Sequence, residues 1–458
     1  MKRFIALVAI SFMAITAFNS CKKELTSQQE NGGIDPNESS YQKRGHLQQT
    51  KTFSSEVAYK WMDMQLHLML TNPIPLGGTP SQRYFVYGAI ALYESVVPGM
   101  PAYQSLSGQL TDFPAMPPTF PGYAYNWAVS GNAALAAMTR SFFTAATVAN
   151  KAAVDSLENA LNNAYENQTD PATFERSVQF GKDVAELVYN WAKADGASSA
   201  NAPYNLPVGP GLWVPTPPGF APAAIPYWGN NRLMVATDLD GVVPDAPPVY
   251  STDPNSDYYK MMKEVYDASK TLTDDQKAVA IFYGGKPGVP QYGGGGYLSA
   301  LKQILEQENR QLDFTAYAFA KATIAMNDAG IGCFKVKYQY NQQRPVTFIR
   351  SVLGDVAWTS FVITPPFPDF LSAHSSHAGA FAEVMEGLLG TDYDFTDHSY
   401  DFQGQAPRSY TSFEAMVQDI GDARFYGGIH SRFSCTEGAR LGRKIAQNIN
   451  STLKFKKE

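Results

Sequence analysis

The chain contains 458 residues, of which 44% are apolar, 13% aromatic and 17% charged. This balance suits a large buried core and argues against intrinsic disorder. The 36 basic and 42 acidic residues give a net charge of −6, which argues against nucleic-acid binding as the main function. Three cysteines exclude a disulfide scaffold and most cysteine-rich metal modules.

The N-terminus has the pattern of a signal peptide. A basic start is followed by an apolar stretch from Phe4 to Phe18, which is too short for a comfortable membrane span. Ser20 then precedes Cys21, which is similar to a bacterial lipoprotein cleavage site. We therefore expect residues 1–20 to be removed and Cys21 to carry the lipid. Ordinary secretion with an incidental cysteine is the alternative.

A polar segment separates this cysteine from the folded body. Residues 21–52 include two lysines directly after Cys21 and a polar run over 37–49. Such a composition is typical of a flexible tether. The expected location is the cell envelope, in the periplasm or at the outer membrane, with lipid as the only membrane anchor. No later stretch approaches roughly 18 apolar residues, so no membrane-spanning helix is predicted.

The first part of the body is predicted to be helical. Apolar residues recur at spacings of three or four, and this periodicity predicts helices over about 53–72, 81–97, 125–147, 152–166 and 171–194. Residues 196–256 are rich in proline, glycine and aromatics, without periodicity. This segment is either a loop that wraps a site or a boundary between halves. The predicted organisation is an N-terminal half, 53–256, and a C-terminal half, 257–458.

Helices resume in the second half. Thr273 and Gln276 form a capping-box pattern, and further helices are predicted over 297–308 and 314–343. The glycine run 293–296 follows no strand and lacks the ending of a phosphate-binding loop, so we interpret it as a flexible connection. Alternating patterns typical of strands are nearly absent. The predicted fold class is therefore all-α, with the helices arranged as a bundle.

Three segments of the second half carry charged and polar residues that suit an anion. In the first, Arg344 follows Lys337 by seven positions and precedes Pro345. Seven residues are close to two helical turns, so both cations are predicted to lie on one helix face. Pro345 is expected to end or kink that helix. A solvated basic face is the alternative interpretation.

The second segment surrounds a predicted helix N-terminus. Ser372 has the position of an N-cap, and the helix is expected to end at Gly390. Free backbone N–H groups and the helix dipole favour an oxyanion at such a terminus. His374 in the first turn is a candidate acid or base, and His377 shares its face. In the alternative, Ser372 only caps the helix and His374 is a core residue.

The third segment contains Arg424 and His430. The pair Gly427–Gly428 lies between them and permits a break that turns both side chains inward. A surface arginine and a capping histidine are the alternative. Together, the three segments supply three cations, a helix N-terminus, a hydroxyl and two histidines. These are the groups needed to hold an oxyanion such as phosphate or vanadate.

The order and spacing of these residues resemble the type 2 phosphatidic acid phosphatase superfamily, and within it the vanadium-dependent haloperoxidase branch. The first family motif is a lysine, six residues and Arg-Pro, as in Lys337 to Pro345. The second family motif is Ser-Gly-His, which corresponds here to Ser372-Ala373-His374. The third is an arginine, five residues and a histidine, as in Arg424 to His430. The motifs cover about the last third of the chain.

The resemblance implies an enzyme that uses hydrogen peroxide to oxidise halide to hypohalous acid, which halogenates a small organic acceptor. It implies that His430 binds vanadate through a ring nitrogen and that His374 is the acid–base partner. The implied vanadate-binding groups are the side chains of Lys337, Arg344, Ser372 and Arg424 and the backbone N–H of Ala373. Phe367, seven residues before His374, implies an apolar halide pocket.

The sequence departs from the family pattern at two functional positions. Ala373 replaces the usual glycine, which requires a negative φ there. Ser434 replaces an aspartate that usually follows His430 by four residues and orients its imidazole. We therefore expect Ser434, another carboxylate such as Glu437, or a carbonyl group to set the tautomer of His430.

Two further interpretations remain open besides the haloperoxidase. A secreted acid phosphatase acting through a phosphohistidine intermediate uses the same anion-binding groups, although the loss of the aspartate weakens it. A lipid-anchored binding protein that has lost catalysis is the third. Cys333 and Cys435 flank the first and third motifs, which makes them candidates for a disulfide in an oxidising periplasm.

Overall fold

The structure of the protein is a computed structural model that describes residues 48–457, apart from 73–78, 287, 290, 294 and 295. The predicted signal peptide, Cys21 and most of the predicted tether lie outside the described residues. Within the described part of the chain, no helix is both long and apolar enough to cross a membrane.

Thirteen α-helices account for most of the described chain. The first five are α1 (Glu56–Thr71), α2 (Thr79–Val96), α3 (Trp127–Phe142), α4 (Val148–Glu166) and α5 (Pro171–Ala192). The other eight are α6 (Asp257–Ser269), α7 (Asp274–Gly284), α8 (Gly296–Gln307), α9 (Leu312–Tyr340), α10 (Pro345–Ser351), α11 (Ala373–Leu389), α12 (Phe413–Tyr426) and α13 (Arg432–Thr452). A short antiparallel hairpin pairs β1 (Phe395–Asp397) with β2 (Arg408–Tyr410). The prediction of an all-α fold is confirmed.

Helix α9 is the centre of the bundle. It packs against α2 from the predicted N-terminal half and against α11 and α13 from the C-terminal half. Ala320, Ile324 and Met326 of α9 are fully buried in the main hydrophobic core, which includes residues from both sides of the loop 196–256. Burial of this apolar surface is the main force that holds the helices together. The division into two halves stays a prediction.

Local sequence signals set several helix boundaries. The capping box predicted at Thr273 and Gln276 is present at the start of α7. The hydroxyl of Ser372 accepts a hydrogen bond from the backbone N–H of Ser375, so the predicted N-cap of α11 is confirmed. The chain also breaks where the glycine pair predicted it, because α12 ends at Tyr426 and Gly428 has a φ of 74°.

Helices α11 and α13 approach each other closely because glycines lie at their contact. A Cβ atom at Gly442 would lie 1.9 Å from the carbonyl oxygen of Ser376, and one at Gly379 would lie 2.1 Å from that of Ala439. The backbone N–H of Ser372 also donates to the carbonyl of Ser434, at 3.0 Å. This packing places the start of α11 beside the start of α13.

The segment 196–256 contains no α-helix and lies across two of the predicted site segments. The backbone N–H of Trp213 donates to the carbonyl of Asn341 at 2.7 Å, and that of Gln343 donates to Gly211 at 2.9 Å. Further along, the N–H of Ala224 donates to the carbonyl of Pro366 at 2.9 Å. The segment is therefore fixed to the chain on both sides of α10.

Candidate oxyanion site

The first and second segments meet at residues 367–369. Nζ of Lys337 donates hydrogen bonds to the carbonyl oxygens of Pro368 and Asp369, with both N–O distances at 2.8 Å. Nε of Arg344 donates to the carbonyl oxygen of Phe367, also at 2.8 Å. Both cations are therefore fixed by the backbone of one proline-rich stretch.

The prediction that Lys337 and Arg344 share one helix face is wrong. Helix α9 ends at Tyr340, because Asn341 adopts a left-handed conformation with a φ of 47°. Arg344 is instead the N-cap residue of α10, which begins at Pro345. Two separate elements bring the cations together, and the seven-residue spacing does not act through a continuous helix.

Arg344 also reaches the third segment. Its Nη1 donates to the carbonyl of Ile429 at 2.8 Å and lies 3.1 Å from Nε2 of His430. A guanidinium group can only donate hydrogen bonds, so Nε2 must be the unprotonated nitrogen of the ring. Nδ1 therefore carries the proton.

Asp369 is the functional residue that sequence reasoning missed. Its carboxylate contacts Nδ1 of His430, and both side chains are buried. The hydroxyl of Ser434, one of the predicted partners, lies 3.2 Å from the same nitrogen. The available signal was a carboxylate in the proline-rich stretch of the second motif. Only the folded chain shows that it faces the third motif.

Glu437 was the carboxylate named among the groups expected to orient His430, and this alternative is wrong. Its Oε2 accepts a hydrogen bond from the backbone N–H of Asp245 at 2.8 Å. The same carboxylate forms an ion pair with Arg440, three residues later on α13. Glu437 therefore fixes the loop 196–256 to α13 and leaves the imidazole to Asp369.

The site contains more buried positive than negative charge. Lys337 and Arg344 are 0% exposed and Arg424 is 3% exposed. Burial lowers the pKa of Lys337 to about 7 and the pKa values of both arginines to about 10. Among the groups described above, Asp369 is the one carboxylate beside them, and burial raises its pKa to about 6. Buried charge without a partner is costly, so this cluster favours a bound anion.

Two N–H groups of the cluster also lack acceptors. Nη2 of Arg344 and Nε of Arg424 are buried without a hydrogen-bond partner, while Nη1 of Arg424 donates to the carbonyl of Tyr283 at 2.9 Å. Buried donors of this kind are normally satisfied. A tetrahedral oxyanion would supply the missing acceptors, so the residues present fit phosphate or vanadate.

The start of α11 completes the anion-binding groups. The hydroxyl of Ser372 accepts hydrogen bonds from the backbone and side chain of Ser375, which leaves its own proton for a further acceptor. Ala373 opens the helix and is not among the residues with positive φ, as its replacement of glycine requires. Its backbone N–H belongs to the first helical turn, where N–H groups have no partner within the helix.

His374 lies next to these groups and is half-buried. Burial lowers its pKa well below 6.5, and the positive charge of Arg424 adds to this effect. The imidazole is therefore neutral near pH 7 and is able to accept a proton. The carbonyl oxygen of His374 accepts a hydrogen bond from the hydroxyl of Tyr297 at 2.7 Å, which fixes the first turn of the helix.

Phe367 lies between the cations and an adjoining cavity. The centre of its ring is 5.1 Å from Nζ of Lys337 and 5.0 Å from Cζ of Arg344, so both cations contact its face. Phe367 and His374 also line the same cavity of about 170 Å³. Its predicted part in a halide pocket stays a prediction.

No disulfide joins the two candidate cysteines. Cys333 and Cys435 are both free and buried. Burial raises the pKa values of both thiols, so each stays protonated and unreactive. Within the described residues, no group of three or more His, Cys, Asp or Glu side chains converges to hold a metal cation.

Comparisons with known proteins agree with this geometry. Residues 317–357 and 353–456 match the family described as VCPO second helical-bundle domain. The crystal structure of the first bacterial vanadium-dependent iodoperoxidase is similar to this chain with a TM-score of 0.80 at 28% identity, over 89% of this chain and 98% of the other. The chain has the vanadium haloperoxidase fold.

Two further structures share the vanadium haloperoxidase fold at lower identity. A holo-type bacterial vanadium-dependent chloroperoxidase has a TM-score of 0.65 at 14% identity, over 84% of this chain and 93% of the other. The apo-type enzyme has a TM-score of 0.60 at 14% identity, over 81% and 94%. No protein with a curated description matches the sequence.

Proposed function

We propose that this protein is a vanadate-dependent haloperoxidase that uses hydrogen peroxide to oxidise halide to hypohalous acid. One observation carries the proposal: the unprotonated Nε2 of His430 lies beside a buried cationic cluster in which Nη2 of Arg344 and Nε of Arg424 lack acceptors. The 28% identity to a vanadium-dependent iodoperoxidase over 89% of this chain supports the same function.

The groups that would hold vanadate are the predicted ones. Nε2 of His430 would bind the vanadium atom, and the three cations would pair with its oxygens. The hydroxyl of Ser372 and the backbone N–H of Ala373 would add hydrogen bonds. When bound, vanadate would supply a Lewis acid that activates hydrogen peroxide toward attack by halide.

The protein's own side chains prepare this chemistry. The carboxylate of Asp369 accepts a hydrogen bond from Nδ1–H of His430, which holds the proton on Nδ1 and keeps the lone pair of Nε2 available. Arg344 and Lys337 are fixed by backbone carbonyls, so their charges need no reorganisation when an anion binds. The neutral imidazole of His374 would take a proton from hydrogen peroxide. It would return a proton to the peroxide oxygen that is released as water.

An acid phosphatase is the second candidate, and Asp369 is the observation that favours it. Attack of His430 on phosphorus would need an oriented, unprotonated imidazole, and the contact with Asp369 supplies this. The same cations would hold the phosphoryl oxygens. The two functions therefore differ in the anion that the working enzyme binds: vanadate in the haloperoxidase and the phosphoryl group of the substrate in the phosphatase.

The experiment compares the two activities in one preparation. The chain without residues 1–21 is assayed in phosphate-free buffer for oxidation of iodide and bromide by hydrogen peroxide, with and without added vanadate. Hydrolysis of an aryl phosphate is measured in parallel. Halide oxidation that depends on vanadate supports the haloperoxidase. Phosphate hydrolysis without vanadate, and no halide oxidation, would replace it with the phosphatase.

We also propose that the protein is a lipoprotein of the cell envelope, attached through Cys21 to the periplasmic face of a membrane. The support is the sequence pattern at residues 1–21 and the polar segment that follows. Expression of the full chain and of Cys21→Ser, followed by fractionation, tests this. The wild type should stay with membranes and the variant should be released. Equal release of both would contradict the proposal.

A further inference from the structure

The cavity lined by Phe367 and His374 adjoins the anion-binding groups, and no organic ligand has been assigned to it so far. Its volume is about 170 Å³, and Ala373 and His374 form the wall nearest the anion-binding groups. Phe367, whose ring contacts Lys337 and Arg344, forms a second part of the wall. A molecule in this cavity would therefore lie directly beside the place where halide is oxidised.

The far wall comes from the loop 196–256. Ala224 and Ile225 line the cavity, and Ile225 has a φ of 46°. This left-handed conformation is rare for a β-branched residue and costs free energy. The side-chain amide of Asn201 accepts the N–H of Ile225 at 2.7 Å, and the carbonyl of Ala224 accepts the hydroxyl of Tyr338 at 2.5 Å. The loop is thus fixed with Ile225 against the cavity.

The size and lining of the cavity suit one aromatic ring. An apolar cavity of about 150 Å³ in another protein stays dry and binds benzene. Here, Phe334 and Phe367 pack edge to face at 5.1 Å between ring centres, and Tyr297 supplies a third ring of the wall. Edge-to-face contacts with these side chains would stabilise an aromatic ring bound in the cavity.

The cavity wall also includes a polar side chain, that of His377. His377 is 3% exposed, and its Nε2 has no hydrogen-bond partner. A Cβ atom at Gly330 would lie 2.8 Å from this nitrogen and 2.8 Å from the methyl group of Thr79, so the glycine lets the imidazole pack closely against α9. Burial lowers the pKa of His377 to about 4, so the imidazole is neutral near pH 7. A neutral imidazole has one donor and one acceptor nitrogen, and a hydroxyl group can pair with either.

We propose that this cavity binds the ring of a monocyclic phenol, so that halogen is transferred to the organic acceptor inside the protein. The inference rests on the proposed haloperoxidase function. Hydrogen peroxide, halide and a proton give hypohalous acid and water. As the ring carbon forms its bond to halogen, the oxygen–halogen bond breaks, and the proton lost from that carbon converts the released hydroxide to water.

Binding is tested first, without vanadate, by titration calorimetry of phenol into the chain lacking residues 1–21. The wild type should bind one phenol per chain, and Ala224→Phe, which fills the cavity, should reduce the affinity at least tenfold. Ala152→Phe on the exposed face of α4 is the matched control and should bind as the wild type does. Equal binding by all three proteins, or binding by none, overturns the proposal.

The second measurement is a product ratio. Phenol and a three-ring phenolic dye too large for the cavity compete for halogen, first with reagent hypohalous acid and then with the vanadate-loaded protein. The wild type and Ala152→Phe should favour phenol at least fivefold more than the reagent does. Ala224→Phe should return the ratio to that of the reagent. A wild-type ratio equal to that of the reagent overturns the proposal.

A variant with a larger cavity covers the case in which Ala224→Phe does not fold. Ile225→Gly removes the wall side chain and the unfavourable conformation together. It should favour a two-ring naphthol over phenol relative to the wild type, and an unchanged preference overturns the proposal. Phenol binding without any halide oxidation would remove the proposed function and leave the cavity assignment standing, so the two failures are distinguishable.

Discussion

The carboxylate of Asp369 contacts Nδ1 of His430, across 61 residues of sequence, and so replaces an aspartate that the family pattern places four residues after the histidine. The contact joins the second motif to the third. It also explains how a chain with serine at position 434 still presents an unprotonated Nε2 beside Arg344.

Asp369→Asn should lower vanadate-dependent halide oxidation by roughly 10–100-fold, the usual cost of losing a partner of a metal-bound histidine. The amide can donate a hydrogen bond to Nδ1, which favours the tautomer with its proton on Nε2. The rate and the nitrogen chemical shifts of His430 measure this. Ser434→Ala, which keeps the carboxylate, should cost less. An Asp369→Asn enzyme with the wild-type rate and tautomer would contradict the assignment.

Inorganic phosphate should raise the Tm of the vanadate-free protein, because an anion compensates the buried cations. Binding at roughly 100 times the Kd stabilises a folded chain by about 2.7 kcal/mol. Arg424→Ala removes a buried donor that lacks an acceptor and should abolish most of this shift. Arg432→Ala, which removes an exposed arginine paired with Glu264 and Asp422, should keep it. Equal shifts in both variants would show that phosphate binds elsewhere.

The pair of Asp238 and Asp328 should contribute stability that falls as pH rises from about 4 toward about 11, the value to which burial raises the pKa of Asp238. The carboxyl groups of Asp238 and Asp328 are buried and face each other. Burial raises the pKa of each, so the folded pair holds a proton that the unfolded chain releases. The pair then binds more protons in the folded state than in the unfolded chain, so its contribution to the free energy of unfolding decreases with pH. Asp238→Asn should flatten this slope, whereas Asp240→Asn, at an exposed position, should not. Denaturant unfolding at several pH values measures the slope of the free energy of unfolding against pH in each protein and so tests this prediction.

Neither cysteine of the folded body should react with a thiol reagent in the native state. Cys333 and Cys435 are buried free thiols whose pKa values are raised. The chain without Cys21 should therefore release no colour with Ellman's reagent until it is unfolded, and then two equivalents. Fewer than two thiols after unfolding without reductant would show that a disulfide forms.

The fold was largely predictable because its signals are local. Apolar periodicity predicted the long helices, and short-range capping at Thr273, Ser372 and the pair Gly427–Gly428 predicted where three of them begin or end. The cationic residues were found because motif spacing preserves their order. These features depend on residues that are near each other in sequence.

The remaining features depend on contacts between distant segments. Nothing near Asp369 indicates that it faces His430, because the contact requires α11 and α13 to pack through Gly379 and Gly442. The left-handed Asn341 ends α9 early, which a helical spacing of seven residues does not reveal. The cavity wall at Ile225 likewise depends on the path of a loop without periodicity.

The measurement that tests the central claim most directly is iodide oxidation by His430→Ala at increasing vanadate concentration. The variant removes the proposed vanadium ligand, and His67→Ala, an exposed histidine on α1, is the control. The wild type and the control should show a saturable, vanadate-dependent rate in phosphate-free buffer, and His430→Ala should show none. A vanadate-dependent rate that survives in His430→Ala would contradict the assignment of this site.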